Sequence, residues 1–445
     1  MMPRTLILLL APILSWAQTP TALDQILERL NRLEQENRAL RGEVAELRDQ
    51  VRTLRGESVD PPASVQQLDE RLSIQERRTD EQAQTKVEAV QRYPVKMSGM
   101  LLANLFHNGP FAGGNDHPTR AAAVAGRQTG GITFRQSIVG FQYIGGQTLM
   151  GGRVRGSVFL DFFEGPNETT NFYPVRVRTA SVEVDWATRT LGFVMDKPLF
   201  SQRDPSSFSF QGVSPLTSSG NLWRWQPQVR MEQRWGSEDG TLARAQVALV
   251  QTAEESGFNL PSPRFSVSRR QPGLEGRFSL AHHFESGAKV DVAPGFHVSN
   301  SRIDSFGVRS SLVSVEWLAQ PFEKLELTGL FWRGQNVHHF GSLRQSFRLV
   351  NGRPEAVRSQ GGWGQAAIPF TPRWTFNLFG GAHDDRDSDL SAGGIGLNRT
   401  GAANIQYRLA PNVIVSLEAL QTRTTILGQG LRKNNRYDLG VAYLF

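Results

Sequence analysis

The 445-residue sequence contains no cysteine. A disulfide framework, a zinc ribbon and a thiol nucleophile are excluded together, and the fold must hold without covalent or metal staples. Long apolar runs are missing as well. Past the N-terminal leader no stretch approaches the roughly 18 consecutive apolar residues that a membrane-spanning helix requires, and mean hydropathy is -0.35. If the chain crosses a membrane, it crosses as strands. Hydrophobic residues make up only 39% of the chain, beside 43 Gly, 26 Phe and 9 Trp. That is little for a large compact core, and natural for a barrel that gives half its side chains to a watery lumen. Lysine is scarce, at six of 49 basic residues, so positive charge here is almost wholly arginine.

The N-terminal part is organised differently from the rest. Residues 1–17 read as a secretory signal peptide: Arg4, an apolar core from Leu6 to Leu14, then Ser15-Trp16-Ala17 with small residues where a signal peptidase reads, so the mature chain is expected to start at Gln18. Over 18–56 the apolar residues recur at alternating spacings of three and four. Leu23, Leu30, Asn37, Val44 and Val51 occupy a positions and Ile26, Leu33, Leu40, Leu47 and Leu54 occupy d positions, which makes five heptads of coiled coil. Charges flanking the seam pair Arg29 with Glu34, Glu36 with Arg41 and Glu43 with Arg48, as a parallel bundle of identical chains requires. Self-association is expected, although the mixture of Val and Leu at a does not choose between dimer and trimer. Gly56 to Pro62 breaks the helix, and 57–94 reads as a linker and polar helical connector.

From 95 to 445 the pattern is that of an all-β, transmembrane antiparallel barrel. At the C-terminus Tyr437, Leu439, Val441, Tyr443 and Phe445 share one face and Asp438, Gly440, Ala442 and Leu444 the other, the alternation of a strand with one side on lipid. About sixteen such segments can be counted, starting near Val95, Gly131, Met150, Pro174, Thr190, Trp223, Thr241, Gly273, Ala288, Phe306, Glu323, Arg358, Arg373, Ala392, Asn412 and Asn435. Their connections alternate in length. Long ones are expected at His107 to Thr129, Glu164 to Tyr173, Lys197 to Leu222, Ala253 to Pro272, Asn300 to Ser305, Gln335 to Val357, Asp384 to Ser391 and Thr425 to Asn434. Short ones include Gly145-Gly146 and Ala410-Pro411. Long extracellular loops and short periplasmic turns are what an outer-membrane barrel demands, and an even count returns both ends to the periplasm, where the coil would lie.

The inward face predicts a basic lumen. Along Trp223 to Trp235, alternation puts Trp223, Trp225, Pro227, Val229, Met231 and Trp235 outside and Arg224, Gln226, Gln228, Arg230, Glu232 and Arg234 inside. The strand after Gly151 puts Arg153, Arg155, Ser157 and Asp161 inside, and neighbouring strands add Arg135, Arg176 and Arg178; beyond Ala180 the alternation slips, as at a bulge. Residues 95–445 hold 36 basic and 27 acidic residues, a net +9, whereas 18–94 hold 12 and 15, a net -3. Arginine grips carboxylates and phosphates in planar, bidentate geometry, and arginine rings in narrow pores favour anions. The competing use of these arginines is structural, pairing with Asp161, Glu183 or Asp185 to neutralise the wall.

Arg135-Gln136-Ser137, Asp161-Phe162-Phe163, Arg176-Val177-Arg178, Phe200 in the third long loop and Pro227-Gln228-Val229-Arg230, behind an N-terminal coiled coil, resemble the DcaP-like trimeric porins, relatives of the phosphate-selective porins O and P. The resemblance covers nearly the whole mature chain and is strongest from Arg135 to Arg230. It implies a sixteen-stranded homotrimer passing small anions, notably dicarboxylates, with arginines at the constriction and the third loop, bearing Phe200 and Arg203, folded inward. The alternating strand that ends on Phe445, with Tyr443, resembles the closing strand of outer-membrane barrels, so it is expected to be read by the barrel-assembly machinery, and the wall to meet outer-membrane lipid and lipopolysaccharide. This chain departs from the pattern in three ways. Thr-Ala-Ser follows Arg178 in place of His-Ala-Tyr, Asp161 lacks its usual acidic neighbour, and a lysine-rich phosphate funnel is not evident.

Other chemistry is thin. The adjacent pairs His282-His283 and His338-His339 point to opposite faces of a strand and cannot both grip one metal without a bulge. Asp385, Asp387 and Asp389 alternate like the start of a calcium loop but lack its glycine and terminal glutamate. No spacing for a Ser/His/acid set is recognisable, so neither enzymatic activity nor a metal, a cofactor or a nucleic-acid partner is expected. The rival reading is a structural tether whose coil binds the cell wall or a periplasmic partner. An inward arginine set separates the two, because a tether has no need of one.

Overall fold

The computed structural model describes residues 94–163, 173–210, 212–252, 267–269, 272–303, 306–343 and 345–445. The leader, the coil and the connector up to residue 93 lie outside the described residues. Among those described, twenty strands form in chain order. The first ten are β1 (Val95–Asn108), β2 (Thr129–Thr133), β3 (Ile138–Leu149), β4 (Gly152–Asp161), β5 (Arg176–Asp185), β6 (Arg189–Asp196), β7 (Gln226–Gly236), β8 (Thr241–Val250), β9 (Val267–Arg269) and β10 (Gly273–His283). The others are β11 (Lys289–Ile303), β12 (Phe306–Phe322), β13 (Leu325–Gln335), β14 (Phe347–Val350), β15 (Arg353–Ala356), β16 (Arg358–Pro369), β17 (Trp374–Asp385), β18 (Ile395–Ala410), β19 (Val413–Ile426) and β20 (Gly430–Leu444).

Eighteen of these share one sheet, while β14 and β15 form a separate hairpin in the connection after β13. β2 and β3 pair with the two halves of β1, and β9 pairs with β11 above the place of β10, so each set is one wall strand interrupted midway. Sixteen wall strands remain. β20 returns to pair antiparallel with β1, from Met100 opposite Leu444 to Asn108 opposite Arg436, and the sheet closes. Closure gives the first and last wall strands each other as backbone partners, which is the condition for crossing hydrocarbon as strands.

The alternation read from the sequence is present in the wall. On β20, Tyr437, Val441 and Tyr443 are exposed on the outside while Arg436, Asp438 and Ala442 are buried on the inside. Phe445 completes the seam, exchanging backbone hydrogen bonds with Gly99 at 2.9 and 3.2 Å. Val95, Thr241, Gly273, Phe306 and Arg358 begin strands as the sequence predicts. Three connections differ. Gly145-Gly146 is not a turn: β3 runs through it with an irregular register, and the chain reverses at Met150-Gly151, whose φ values of 49° and 77° give the doubly left-handed hairpin that matches strand twist. The connections expected at Asn300 to Ser305 and Thr425 to Asn434 are mostly strand, because β11, β19 and β20 extend into these polar stretches. Long strands reaching beyond the bilayer can carry polar residues on both faces, and that hides their ends.

The barrel is partly filled from within. Loop 3, residues 197–225 between β6 and β7, folds inside, as the resemblance implies. Its Phe200, Phe210, Leu216 and Leu222 cluster with wall residues including Leu312, Leu330, Trp332 and Phe379. Trp332 Nε1 donates to the Gly220 carbonyl at 2.8 Å. Burying side chains of this size contributes about 1.5–3 kcal/mol each, so loop 3 is held as a core element is held. At its tip the loop lies on the wall backbone to backbone. A Cβ on Gly220, whose φ is +104°, would meet the Gly362 carbonyl, and one on Gly381 would meet the Ser219 carbonyl.

Gly381→Val should therefore lift the tip of loop 3 without opening the wall. We expect a lower temperature for the heat-induced shift in gel mobility, corresponding to overpacking of about 1–3 kcal/mol, together with a larger single-channel conductance. If both stay at the wild-type values, the tip does not rest where described.

Candidate functional site

The interior has two unlike sides. Strands β10 to β20 present polar groups that loop 3 covers and satisfies. Glu275 Oε2 accepts the Leu199 N–H at 2.8 Å, and Glu316 Oε1 accepts those of Gln202 and Arg203 at 2.8 and 2.7 Å. Gln365 Oε1 accepts the Ser206 N–H at 2.6 Å, and Asn404 and Asn398 donate to the Ser206 and Ser218 carbonyls, each at 2.8 Å. A loop in a closed interior must place its backbone polar groups somewhere, and this wall provides the partners. Arg203, expected at the constriction, pairs with Asp291 and with Glu316. Phe200, also expected there, is buried edge-on against Phe340 at 4.9 Å. Both anchor the loop.

Loop 1, residues 109–128, enters as well, which the sequence reading did not foresee. Ala121 N–H donates to Thr424 Oγ1 at 2.8 Å, Asn398 Nδ2 to the Thr119 carbonyl at 3.1 Å, and Arg432 Nε to the Ala123 carbonyl at 2.8 Å. Beneath it lies a buried polar knot. Arg436 grips Asp438 through two bonds of 2.8 and 2.6 Å, donates to Asn108 Oδ1 at 3.1 Å and to the Asp116 carbonyl, and stacks on Phe106 and Phe210. Its Nη2 also lies 3.2 Å from His117 Nδ1. Arginine can only donate, so in this contact Nδ1 accepts. Burial, with Arg436 and Arg135 adding repulsion, holds His117 well below the usual histidine range. Burial raises neighbouring Asp116 against the pull of the same two arginines.

Strands β4 to β8 form the other side. Their inward positions carry Arg153, Arg155, Arg176, Arg178, Arg230, Arg234 and Arg244 against Asp161, Glu183, Asp185, Asp196 and Glu232. Apart from Asp161, which is buried, these side chains reach solvent: Arg155 is 44% exposed, Arg176 31%, Asp196 33% and Arg234 22%, whereas Glu275, Glu316 and Glu418 across the barrel are at 0%, 1% and 4%. A solvated stripe with seven arginines to five carboxylates thus runs along one wall.

The pairing expected of these arginines is present. Arg155 lies 3.4 Å and Arg234 2.9 Å from Asp185, and Arg230 lies 3.8 Å from Glu183 and 3.3 Å from Asp196. Asp161 is shared between two arginines. This buried carboxylate takes a two-pronged bond from Arg176, 2.8 and 2.7 Å, and also faces Arg178 at 3.7 Å. One carboxylate serves two guanidiniums, and Arg178 is also attracted by Asp204 of loop 3. The slip in alternation on this strand is a bulge: Phe159 and Leu160 of β4 face Thr179 and Val177, so Arg178 is the extra residue and is turned toward Asp161. Arg176 and Arg178 both pack on Trp225, with guanidinium-to-ring distances of 5.1 and 4.6 Å. Facing them, burial alone would raise Asp204 of loop 3, but the Lys197 ammonium and bonds from Asn221 and Ser214 hold it below the usual carboxylate range.

Two tryptophans correct the orientation read from the sequence. Trp223 and Trp225 do not face lipid. Trp223 is buried, its Nε1 donating to Thr217 Oγ1 at 2.7 Å, and it packs edge-on to Trp225 at 4.8 Å. The strand begins only at Gln226, and Pro227, tolerated near a strand start, is the signal that could have placed the boundary. Arg135 is 4% exposed, 3.7 Å from Asp116 and over the Tyr173 ring, so it lies beneath loop 1 and away from the open stripe. Arg224 is half-buried in loop 3, its N–H 3.4 Å from the Phe340 carbonyl.

The remaining candidates are scattered. His282 meets Thr241 at 2.8 Å, His338 the Leu343 carbonyl at 2.6 Å, and His383 Asp385 at 2.8 Å. Arg358 bonds both oxygens of Asp389 at 2.7 Å and, against a smaller desolvation effect, holds that carboxyl down at about 2.

A closed barrel of sixteen antiparallel strands, apolar outside, with its third long loop folded within, is the architecture of outer-membrane porins. The fold is similar to that of the outer membrane channel DcaP of Acinetobacter baumannii, with a TM-score of 0.63 at 13% identity, covering 79% of this chain and 97% of that one. It is also similar to an anion-selective porin from Comamonas acidovorans, with a TM-score of 0.51 at 11% identity, covering 79% and 99%. At these identities the likeness is one of fold. No known sequence family and no curated protein matches the chain.

The His117 knot has a pH consequence. A histidine held below its unfolded value binds a proton in the unfolded chain that the folded chain refuses, so stability falls as pH drops below about 6.5. The Asp116 shift acts in the lower, carboxylate range and in the opposite sense. We expect the urea midpoint, followed by tryptophan fluorescence, to fall between pH 7.5 and 5.5, and to fall less in His117→Asn. An equal loss in the variant would assign the dependence to other groups.

Proposed function

We propose that this protein is an outer-membrane porin whose water-filled channel, lined on one side by arginines, passes small anionic solutes by diffusion: dicarboxylates, related organic anions or phosphate. The observation that carries this reading is the solvated stripe on β4 to β8, where seven arginines outnumber five carboxylates while the opposite wall is sealed by loop 3. Charge on a narrow, low-dielectric wall raises the local concentration of its counter-ion and is screened by salt. In the Asp161, Arg176, Arg178 and Trp225 group the two guanidiniums are held in place by stacking and by a bulge. The tether reading gains nothing from such a wall.

In a KCl gradient across a planar bilayer we expect a reversal potential on the chloride side, larger at low ionic strength. Replacing Arg155, Arg178 and Arg230 together by Gln should weaken that preference. Arg176 is kept in this test because removing it would strand the buried Asp161. A cation-selective wild-type channel, or an unaltered potential in the triple variant, is incompatible with this reading.

The same reading makes the protein a homotrimer through the coil at 18–56, with Phe445 and Tyr443 as the strand signal taken by the barrel-assembly machinery. The exposed aromatic face of β20 and its seam with β1 support this role for Phe445. Deleting Phe445 should lower outer-membrane yield without blocking secretion, and light scattering of the solubilised wild-type protein should give a trimer mass. An unchanged yield or a monomer mass removes that part of the proposal.

A further inference from the structure

The outer surface carries a feature that transport does not use. On β18, β19 and β20, Arg399 stands directly opposite Arg423, and Arg423 directly opposite Lys433. All three are exposed and point outward, since Arg436 and Asn398 on the alternate positions are buried within. Directly opposed side chains have Cβ atoms about 4.5–5.5 Å apart, and like charges so placed destabilise a sheet. Nothing among the described residues offsets this. Among the described residues Arg399 and Lys433 have no side-chain partner, and Arg423 only donates from Nε to Gln421 Oε1 at 2.6 Å. The nearest outward carboxylate, Asp384, is diagonal to Arg399 and receives its bond from Gln360 at 3.2 Å.

Height along the wall identifies the missing anion. From Phe445 to Tyr437 the outward positions of β20 are apolar or aromatic, a span close to the band of about 25 Å that faces hydrocarbon. Two residues further toward the long-loop rim comes a polar row, Gln421 bonded to Asn435 at 2.8 Å, and two further comes the basic row. At about 3.4 Å per residue and a tilt near 40°, the cations stand roughly 10 Å beyond Tyr437, at the depth of lipid headgroups.

We propose that Arg399, Arg423 and Lys433 form a binding site for the phosphates of a glycolipid headgroup in the outer leaflet. Guanidinium and phosphate match in bidentate geometry, and a ligand bearing more than one phosphate neutralises the whole row at once. The site rests on the outer-membrane reading above, and it is tested without any measurement of conduction, so either can fail alone.

The test is native mass spectrometry of the full detergent-solubilised protein incubated with bisphosphorylated lipid A. Wild type should retain the lipid in the presence of millimolar inorganic phosphate. R399Q/R423Q/K433Q should retain at least tenfold less, and R399K/R423K/K433R should retain it. Arg399→Gln and Lys433→Gln singly serve as milder variants, since each removes a repulsion and no internal bond, and unchanged heat-modifiable gel mobility shows that the barrel is intact. Equal retention in the neutral variants, or no retention by wild type, overturns the proposal. Displacement by inorganic phosphate alone would overturn it too, by showing a site for a free anion.

Discussion

Closure of the sheet through β1 and β20 is the constraint on which the rest depends. In hydrocarbon a backbone N–H or C=O without a partner costs several kcal/mol, so a wall of strands can face lipid only if its first and last strands meet. Here they meet from Met100 opposite Leu444 to Asn108 opposite Arg436, with Phe445 bonded to Gly99. Once the wall is closed, strand alternation divides every segment between lipid and interior. The apolar half is then committed to the outside, and the core that a soluble protein would build from it is unavailable.

The interior must therefore be organised by polar chemistry, and it is organised unequally. On β10 to β20 the inward carboxylates and amides are buried, a costly state unless each is bonded, and loop 3 supplies backbone N–H groups and carbonyls to them. The loop adds an apolar cluster around Trp332, which is a conventional core placed inside a barrel. On β4 to β8, among the described residues, loop 3 touches the wall around Asp161, Arg176 and Arg178, while Arg153, Arg155 and Asp196 keep their water. Under the proposed function, electrostatic selectivity would follow from which wall the loop adheres to, since the same contact buries the carboxylates that anchor the loop.

Strand existence and facing were readable because the signal has a period of two and is imposed by two solvents on either side of one sheet. It placed the starts of β1, β8, β10, β12 and β16 correctly, and the inward set Arg155, Arg230 and Arg234 with them. It failed where that contrast disappears. Above the bilayer both faces are wet, so the ends of β19 and β20 carried polar residues that look like loop. At Trp223 and Trp225 an alternating aromatic pattern lies in a loop, where alternation has no meaning. The bulge at Arg178 was visible only as a slip in phase; its result, two guanidiniums on one carboxylate, required the register.

By itself the sequence determined that the chain makes a strand-built membrane wall with an arginine-rich inner face, because alternation, cysteine absence and charge sign are local properties that each residue carries wherever it goes. Only the tertiary structure decided which arginines meet water. Arg135 and Arg155 look alike in the sequence, and one is sealed beneath loop 1 while the other lines the open stripe. That difference is set by contacts between residues far apart in the chain, such as Ala121 with Thr424 and Gln202 with Glu316. Such contacts leave no periodic trace, since their energy depends on shape and on the partner across the lumen.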